Sequence, residues 1–156
     1  MSFVGDYTVK ADAKGRIAIP SAFRKLLENQ AGERFVFRRD IFQNCLVLIP
    51  FAEWELQVEV LRKRLNEYNR NHKKFKAQFF RDTAEVEMDK NGRVLMPKKL
   101  VESLCLNKEI VLAGMDKVIE VWDKEVYDGN QLNEDEFASL AEEILGKDNF
   151  DNEDLK

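Results

Sequence analysis

The residues of this sequence best equipped for chemistry are two arginines, each set beside a glycine. DAKGRIAIP, residues 12–20, and DKNGRVLMP, residues 89–97, repeat Asp, Gly, Arg and Pro at the same offsets, 77 residues apart. A guanidinium is a permanent cation whose N–H donors form a rigid fork, matched to the paired acceptors of a carboxylate, a phosphate or a guanine edge. Two roles are therefore open to Arg16 and Arg93. Each can bond back to the aspartate of its own motif and brace a turn, or it can meet a polyanion such as the DNA major groove. Lys10 and Lys14 near the first motif, and Lys90 and Asn91 near the second, add charge and donors suited to phosphate. Asp12 and Asp89 are expected to accept turn N–H bonds. Gly15 and Gly92 fall where such a turn needs positive φ, which a residue without Cβ adopts at little cost.

Other chemistry is poorly supplied. His72 is the only histidine, no nucleophile has an evident base, and the two cysteines, Cys45 and Cys105, lack a second Cys or a His at ligand spacing. No enzyme, cofactor, metal site or small-molecule ligand is expected, and both cysteines are read as small buried hydrophobes in a reducing compartment. No run approaches the roughly 20 apolar residues of a membrane span, and MSFVGDYTVK lacks the order of a signal peptide, so the expected location is the cytoplasm.

The elements that must hold the arginines follow from periodicity. YTVKAD and AEVEMD alternate before each turn, RIAI and RVLM after it, and each pattern predicts a β-hairpin with its glycine at the tip. In the strand after the turn, Ile17 and Ile19 share one face and turn Arg16 and Ala18 to the other; Val94 and Met96 do the same for Arg93. Pro20 and Pro97 end the strands and suit the start of a short helix carrying Phe23, Leu26 and Leu27, or Leu100, Val101 and Leu104. Strand-like pairs follow, FVFR with CLVLI and EIVLAG with VIEVW. The fold class is α+β: tandem pseudo-symmetric hairpin and short-helix repeats, each too small to bury a core alone, completing one barrel-like domain with peripheral helices. The expected division is a first repeat over 1–50, a connecting helical segment over 51–76, a second repeat over 77–123, and a C-terminal helix and acidic tail over 124–156. Phe51, Trp54, Val58, Leu61, Leu65 and Tyr68 predict one helix from Phe51 to about Asn71, its stripe serving as core or subunit contact. RNHKKFK, residues 70–76, reads as a solvated basic helix end. Asn133 caps a last helix carrying Phe137, Leu140, Ile144 and Leu145, with Glu136 reaching back, and the tail DNFDNEDLK reads as solvated and frayed.

The net charge of −4 argues against a nucleic-acid partner only until its distribution is considered. From Lys124 onward there are 11 acidic and 3 basic residues, so residues 1–123 are net +4. An anionic partner is compatible with that balance, and so is an ordinary mixed surface.

At the two motifs the sequence resembles the MraZ transcriptional regulators, whose double module has the AbrB-like swapped-hairpin DNA-binding fold. The resemblance covers Phe3 to about Leu145 and rests on FVGDY, DAKGRIAIPSAFR, LIPFAEW, DKNGRVLMPKKL, EIVLAGM and IEVWD. It implies a homo-oligomeric ring that binds double-stranded promoter DNA at the division and cell-wall gene cluster containing its own gene, usually as a repressor, in association with the nucleoid. It also implies DNA contacts for Arg16 and Arg93. Ala11 replaces a larger apolar residue, Asn91 stands where the family often has Gln or Lys, and Leu95 is the counterpart of Ala18, so the two tips need not approach DNA alike. The acidic tail lies outside the resemblance. The rival reading is an oligomeric protein-interaction scaffold that does not recognise DNA.

Overall fold

In the computed structural model, which describes residues 2–27 and 34–146, the alternating segments around each Asp-Gly-Arg turn are strands, but the two strands of one turn do not pair with each other. In chain order the elements are β1 (Asp6–Lys10), β2 (Arg16–Ala18), α1 (Ser21–Leu27), β3 (Arg34–Arg39), β4 (Leu46–Pro50), α2 (Phe51–Arg64), α3 (Arg70–Phe80), β5 (Ala84–Glu87), β6 (Arg93–Leu95), α4 (Lys98–Ser103), β7 (Glu109–Met115), β8 (Val118–Asp123), α5 (Lys124–Gly129) and α6 (Glu134–Leu145). β1 pairs with β7 and β5 with β3, while β2 pairs with β6 in a separate two-stranded ribbon. The local hairpins expected from periodicity are thereby corrected to strands swapped between the two repeats.

The swap has a burial rationale. Ile17, Ile19, Val94 and Met96 are all buried and join one core with Phe35, Phe37, Leu46, Leu48, Ile110, Leu112, Ile119 and Val121. Pairing β2 with β6 lays both apolar edges over the same sheet face, and a register slip of one residue would turn all of them outward. The register is symmetric under the 77-residue shift: Ile17 faces Val94, Arg16 faces Leu95 and Ala18 faces Arg93. Two further backbone bonds lock each repeat onto the other's turn, Ile19 N–H to Gly92 O at 2.9 Å and Met96 N–H to Gly15 O at 3.0 Å.

The main sheet is antiparallel in the order β1-β7-β8-β4-β3-β5. It is open, with β1 and β5 at its edges. Each edge strand leads through a turn into one strand of the ribbon, an arrangement compatible with the barrel-like expectation although no ladder among the described residues closes it. The central β4, LVLIP, is buried on both faces, as a continuous apolar run requires. Pro20 and Pro97 stand just before α1 and α4, and their carbonyls accept the bonds of Arg24 N–H and Val101 N–H that open each helix.

The single long helix expected after Phe51 is instead two. α2 ends at Leu65, Asn66 Oδ1 accepts the Tyr68 amide at 2.9 Å, and Asn69 caps α3 by accepting from Asn71 N–H and His72 N–H. Tyr68 thus leaves the stripe and is 98% exposed. RNHKKFK opens α3 rather than closing α2. α2 packs on β3 and β4, and Trp54 stacks on Phe79 of α3 with ring centroids 5.8 Å apart. Cys45 is buried, and burial next to Glu120 and Asp40 pushes its thiol pKa up. Cys105, read as buried, is exposed, at a left-handed φ of 52° after α4.

The chain divides into two compact units, Met1–Val126 and Tyr127–Lys156. In the second, Asn133 caps α6, and the bond comes from the backbone amide of Glu136 at 2.8 Å. Residues 148–156, read as a frayed tail, lie outside the described residues. Among the described residues no helix is long and apolar enough to cross a membrane.

Candidate nucleic-acid interface

The two turns are built alike from their aspartates. Asp12 Oδ1 accepts the amides of Lys14 and Arg16, both at 2.9 Å, and Asp12 O accepts Gly15 N–H at 3.0 Å. Asp89 Oδ1 accepts the amides of Asn91 and Arg93 at 2.8 and 2.9 Å, and Asp89 O accepts Gly92 N–H at 3.0 Å. Each loop is closed at its neck by Asp12 N–H to Arg16 O and Asp89 N–H to Arg93 O. Gly15 and Gly92 have φ of +85° and +74°, the left-handed region in which a Cβ is strained.

The arginines break this symmetry. Arg16 Nε donates to Asp12 Oδ2 at 2.7 Å, and Arg93 reaches across the ribbon to the same oxygen at 3.4 Å. Asp89 accepts only turn amides among the described residues. One carboxylate therefore gathers both guanidiniums at the join of the repeats. Neither is sequestered: the side chains of Arg16 and Arg93 keep 35% and 33% of their surface exposed. The bracing role open to Arg16 is thus occupied through Nε, while its two Nη groups have no hydrogen-bond partner among the described residues.

Other cations surround this pair. Lys14 and Asn91 sit in the exposed turns, Lys90 is exposed beside Asn91, and Lys10 is exposed at the end of edge strand β1. Arg24 was missed at the level of sequence. It belongs to α1, yet it lies against the other repeat's turn, so that a Cβ built on Gly92 would stand 2.7 Å from Arg24 Nη1. Arg24, Lys25 and Lys90 line one depression there with Ser21 and Gly92. The residue 77 positions after Arg24 is Val101, so α4 carries no cation at the equivalent position. Only α1's packing against the second repeat reveals this, because AFRK by itself reads as an ordinary helix face.

The electrostatics suit binding better than proton transfer. The Arg16 amide, the Arg16 guanidinium and the Lys14 amide together hold the Asp12 carboxyl down to about 2. Asp89 is lowered as well, chiefly by the Arg93 amide, then by the Asn91 amide and the nearby arginine charges. Carboxylates so stabilised are poor bases at neutral pH. His72 is committed elsewhere, its Nδ1 accepting Asn66 N–H at 2.8 Å in the α2–α3 link. Asp40, Cys45 and Glu120 bring ligand-type atoms within 4.8 Å of one another. The two carboxylates are engaged internally: Asp40 accepts the Phe42 and Gln43 amides, and Glu120 accepts from Gln43 Nε2 and Trp122 Nε1.

A pH dependence follows from Asp12. Its folded pKa lies below the ordinary 3.8, so its ionised form contributes stability in full above about pH 4 and loses it as pH falls through about 2. Asp12→Asn keeps an acceptor for the turn amides but removes the charge between the arginines. In urea melts the variant should be less stable than the parent at pH 7, with the gap closing toward pH 2. Asp89→Asn should show a smaller gap of the same sign. A gap for Asp12→Asn that widened in acid, or one no larger than that of Asp89→Asn, would contradict the shared-carboxylate geometry.

Comparison with known proteins adds a family context. A family model described as "MraZ protein, putative antitoxin-like" matches residues 2–76 and 79–147, a division that falls inside α3. A protein of Christiangramia forsetii named transcriptional regulator MraZ is 44% identical over 155 residues, covering 97% of each chain. Its namesake in Bacteroides thetaiotaomicron is 40% identical over 147 residues, 94% of each chain. That of Clostridium acetobutylicum is 37% identical over 142 residues, 91% of this chain and 96% of the relative.

Proposed function

The chain belongs to the MraZ family, a family of regulators and not of enzymes, and from that premise we propose that it binds double-stranded promoter DNA through Arg16 and Arg93. The observation that carries this reading is the convergence of both guanidiniums on Asp12, one-third exposed, between two turns that also present Lys14, Asn91 and Lys90. Asp12 holds the forks in place before DNA arrives, which lowers the ordering cost of binding. The free Nη edge of Arg16 and the loosely held Arg93 then meet guanine O6 and N7, or phosphate, in the major groove. Lys10, Lys14, Lys90, Asn91 and Arg24 grip the backbone and set the position without reading bases.

Several subunits, assembled as a homo-oligomeric ring, present such pairs side by side, so contacts that are weak singly add across an array of short repeats. Repeats about 10 base pairs apart meet successive subunits on one side of the duplex. The promoter is that of the division and cell-wall cluster holding the protein's own gene. Occupancy there excludes RNA polymerase, which makes the output repression and places the protein on the nucleoid in the cytoplasm. No cofactor or small-molecule effector enters this scheme.

Anisotropy titration of the full chain against labelled DNA from upstream of its own gene tests the reading. With about six phosphates neutralised, affinity should fall by roughly a thousandfold between 50 and 200 mM salt as counterions are released. A binding constant that stays flat over that range, or equals that of a scrambled duplex at both salts, rejects it.

A further inference from the structure

The α2–α3 pair leaves an apolar cleft open, and α6 presents an apolar face open to solvent, with opposite charges around the two. Trp54, Val58, Leu61, Leu65, Ala77 and Phe80 line two adjoining depressions of about 480 and 460 Å³ between α2 and α3. Arg62, Lys73 and Lys76 line them against a single acid, Glu67; Arg62 also meets Glu59 and Lys76 meets Glu67, so Lys73 is the cation of the lining that no acid of the cleft engages. On α6, Phe137, Leu140, Ala141 and Ile144 follow the i, i+3, i+4, i+7 spacing by which an amphipathic helix anchors in a groove. Phe137 is 66% exposed and Ile144 63%, large values for side chains of that size. The rest of α6 holds five acids and no base.

We propose that α6 of one chain docks in the α2–α3 cleft of a second copy, its apolar face filling the cleft and its acids meeting the rim that includes Arg62, Lys73 and Lys76. The inference rests on the oligomeric part of the proposed function and names the surface that makes the oligomer. A helix of 12 residues is about 18 Å long, enough to lie along a two-helix cleft. Each chain carries both a donor helix and an acceptor cleft of complementary charge, so the contact is head-to-tail. Contacts of that kind propagate from copy to copy and end in a ring where the rotation closes. The acidic C-terminal segment then has a use that the DNA-facing turns do not give it: it neutralises the basic helical surface of the next subunit.

The test uses the full chain and light scattering coupled to gel filtration across a range of concentrations. Phe137→Ser/Ile144→Ser removes the donor face at exposed positions, and Lys73→Glu/Lys76→Glu reverses the rim of the acceptor. Each variant should run at lower mass than the wild type, with the dissociation concentration raised at least tenfold, while its circular dichroism spectrum and melting curve match. Mixed one to one, the two variants should recover a species of two chains, because the first retains a sound cleft and the second a sound helix. Wild-type mass for either variant overturns the proposal, as does a wild type that is monomeric throughout. So does a mixture that recovers nothing, which would mean that the helix docks within its own chain or not at all. Binding of each variant to a duplex with one site, at low salt, keeps the two ideas apart. Retention leaves the arginine reading intact whatever the mass, whereas absence of binding in the wild type removes that reading without deciding the docking.

Discussion

Replacing Arg16 and Arg93 together with alanine is expected to lower affinity for the upstream duplex by about a hundredfold or more while leaving the oligomer's mass unchanged. Each bidentate arginine–guanine pair discriminates by about 1–3 kcal/mol, so two of them span roughly thirtyfold to ten-thousandfold per site. Several sites held at once multiply the loss. The fold should tolerate the change, because both side chains keep about a third of their surface in solvent, at 35% and 33%, and surface ion pairs are individually worth little. Arg16→Lys/Arg93→Lys separates charge from shape. Lysine keeps the cation but not the planar fork, so this variant should retain much of the salt dependence and lose preference for the operator over other DNA. Anisotropy titration with specific and scrambled duplexes reads both quantities. If the double alanine variant bound within twofold of the wild type, the arginines would be braces only, and the scaffold reading would take precedence.

Ile17→Ala should have the largest effect on folding and a second, indirect effect on DNA binding. Ile17 is 0% exposed and faces Val94 at the centre of the ribbon. Truncating a buried isoleucine to alanine costs about 2–5 kcal/mol, a large part of the roughly 5–15 kcal/mol that keeps a domain folded. The loss is not confined to the core. The β2–β6 ribbon is what brings Arg16 and Arg93 to one carboxylate, so loosening it spreads the two guanidiniums. Urea melts should show a midpoint shifted down with the slope preserved. DNA affinity, measured where the variant is still folded, should fall as well. A variant that melted like the wild type would contradict the packing, whereas one that lost stability yet bound DNA at full strength would show that the arginines act independently of the ribbon.

Much of the arrangement around the arginines was legible in the residues themselves. A turn is a property of five consecutive positions, and Asp12 through Arg16 contain what it needs: a carboxylate for the amides two and four residues on, and a glycine for the left-handed step. The inward faces of Ile17, Ile19, Val94 and Met96 follow from alternation alone. The cap at Asn133 is likewise local. Where local signals competed, periodicity misled. Tyr68 fits the phase of the α2 stripe, but Asn66 and Asn69 bond the neighbouring amides and end one helix before starting the next. Cys105 followed the burial tendency of its type on paper, yet its left-handed position after α4 leaves it exposed.

What the amino-acid order determined by itself is therefore the repeat, its turns, the inward and outward faces of its strands, and the family to which they point. Tertiary structure alone decided the partners: β2 with β6 rather than with β1, the Arg93 guanidinium with Asp12 rather than with its own motif's Asp89, and Arg24 with a turn 68 residues further along the chain. The physical reason is that a period of two states which side of a strand is dry, and says nothing about which strand lies alongside it. That choice belongs to the burial of distant apolar residues against one another. Here it is made once, by folding two similar halves over a common core.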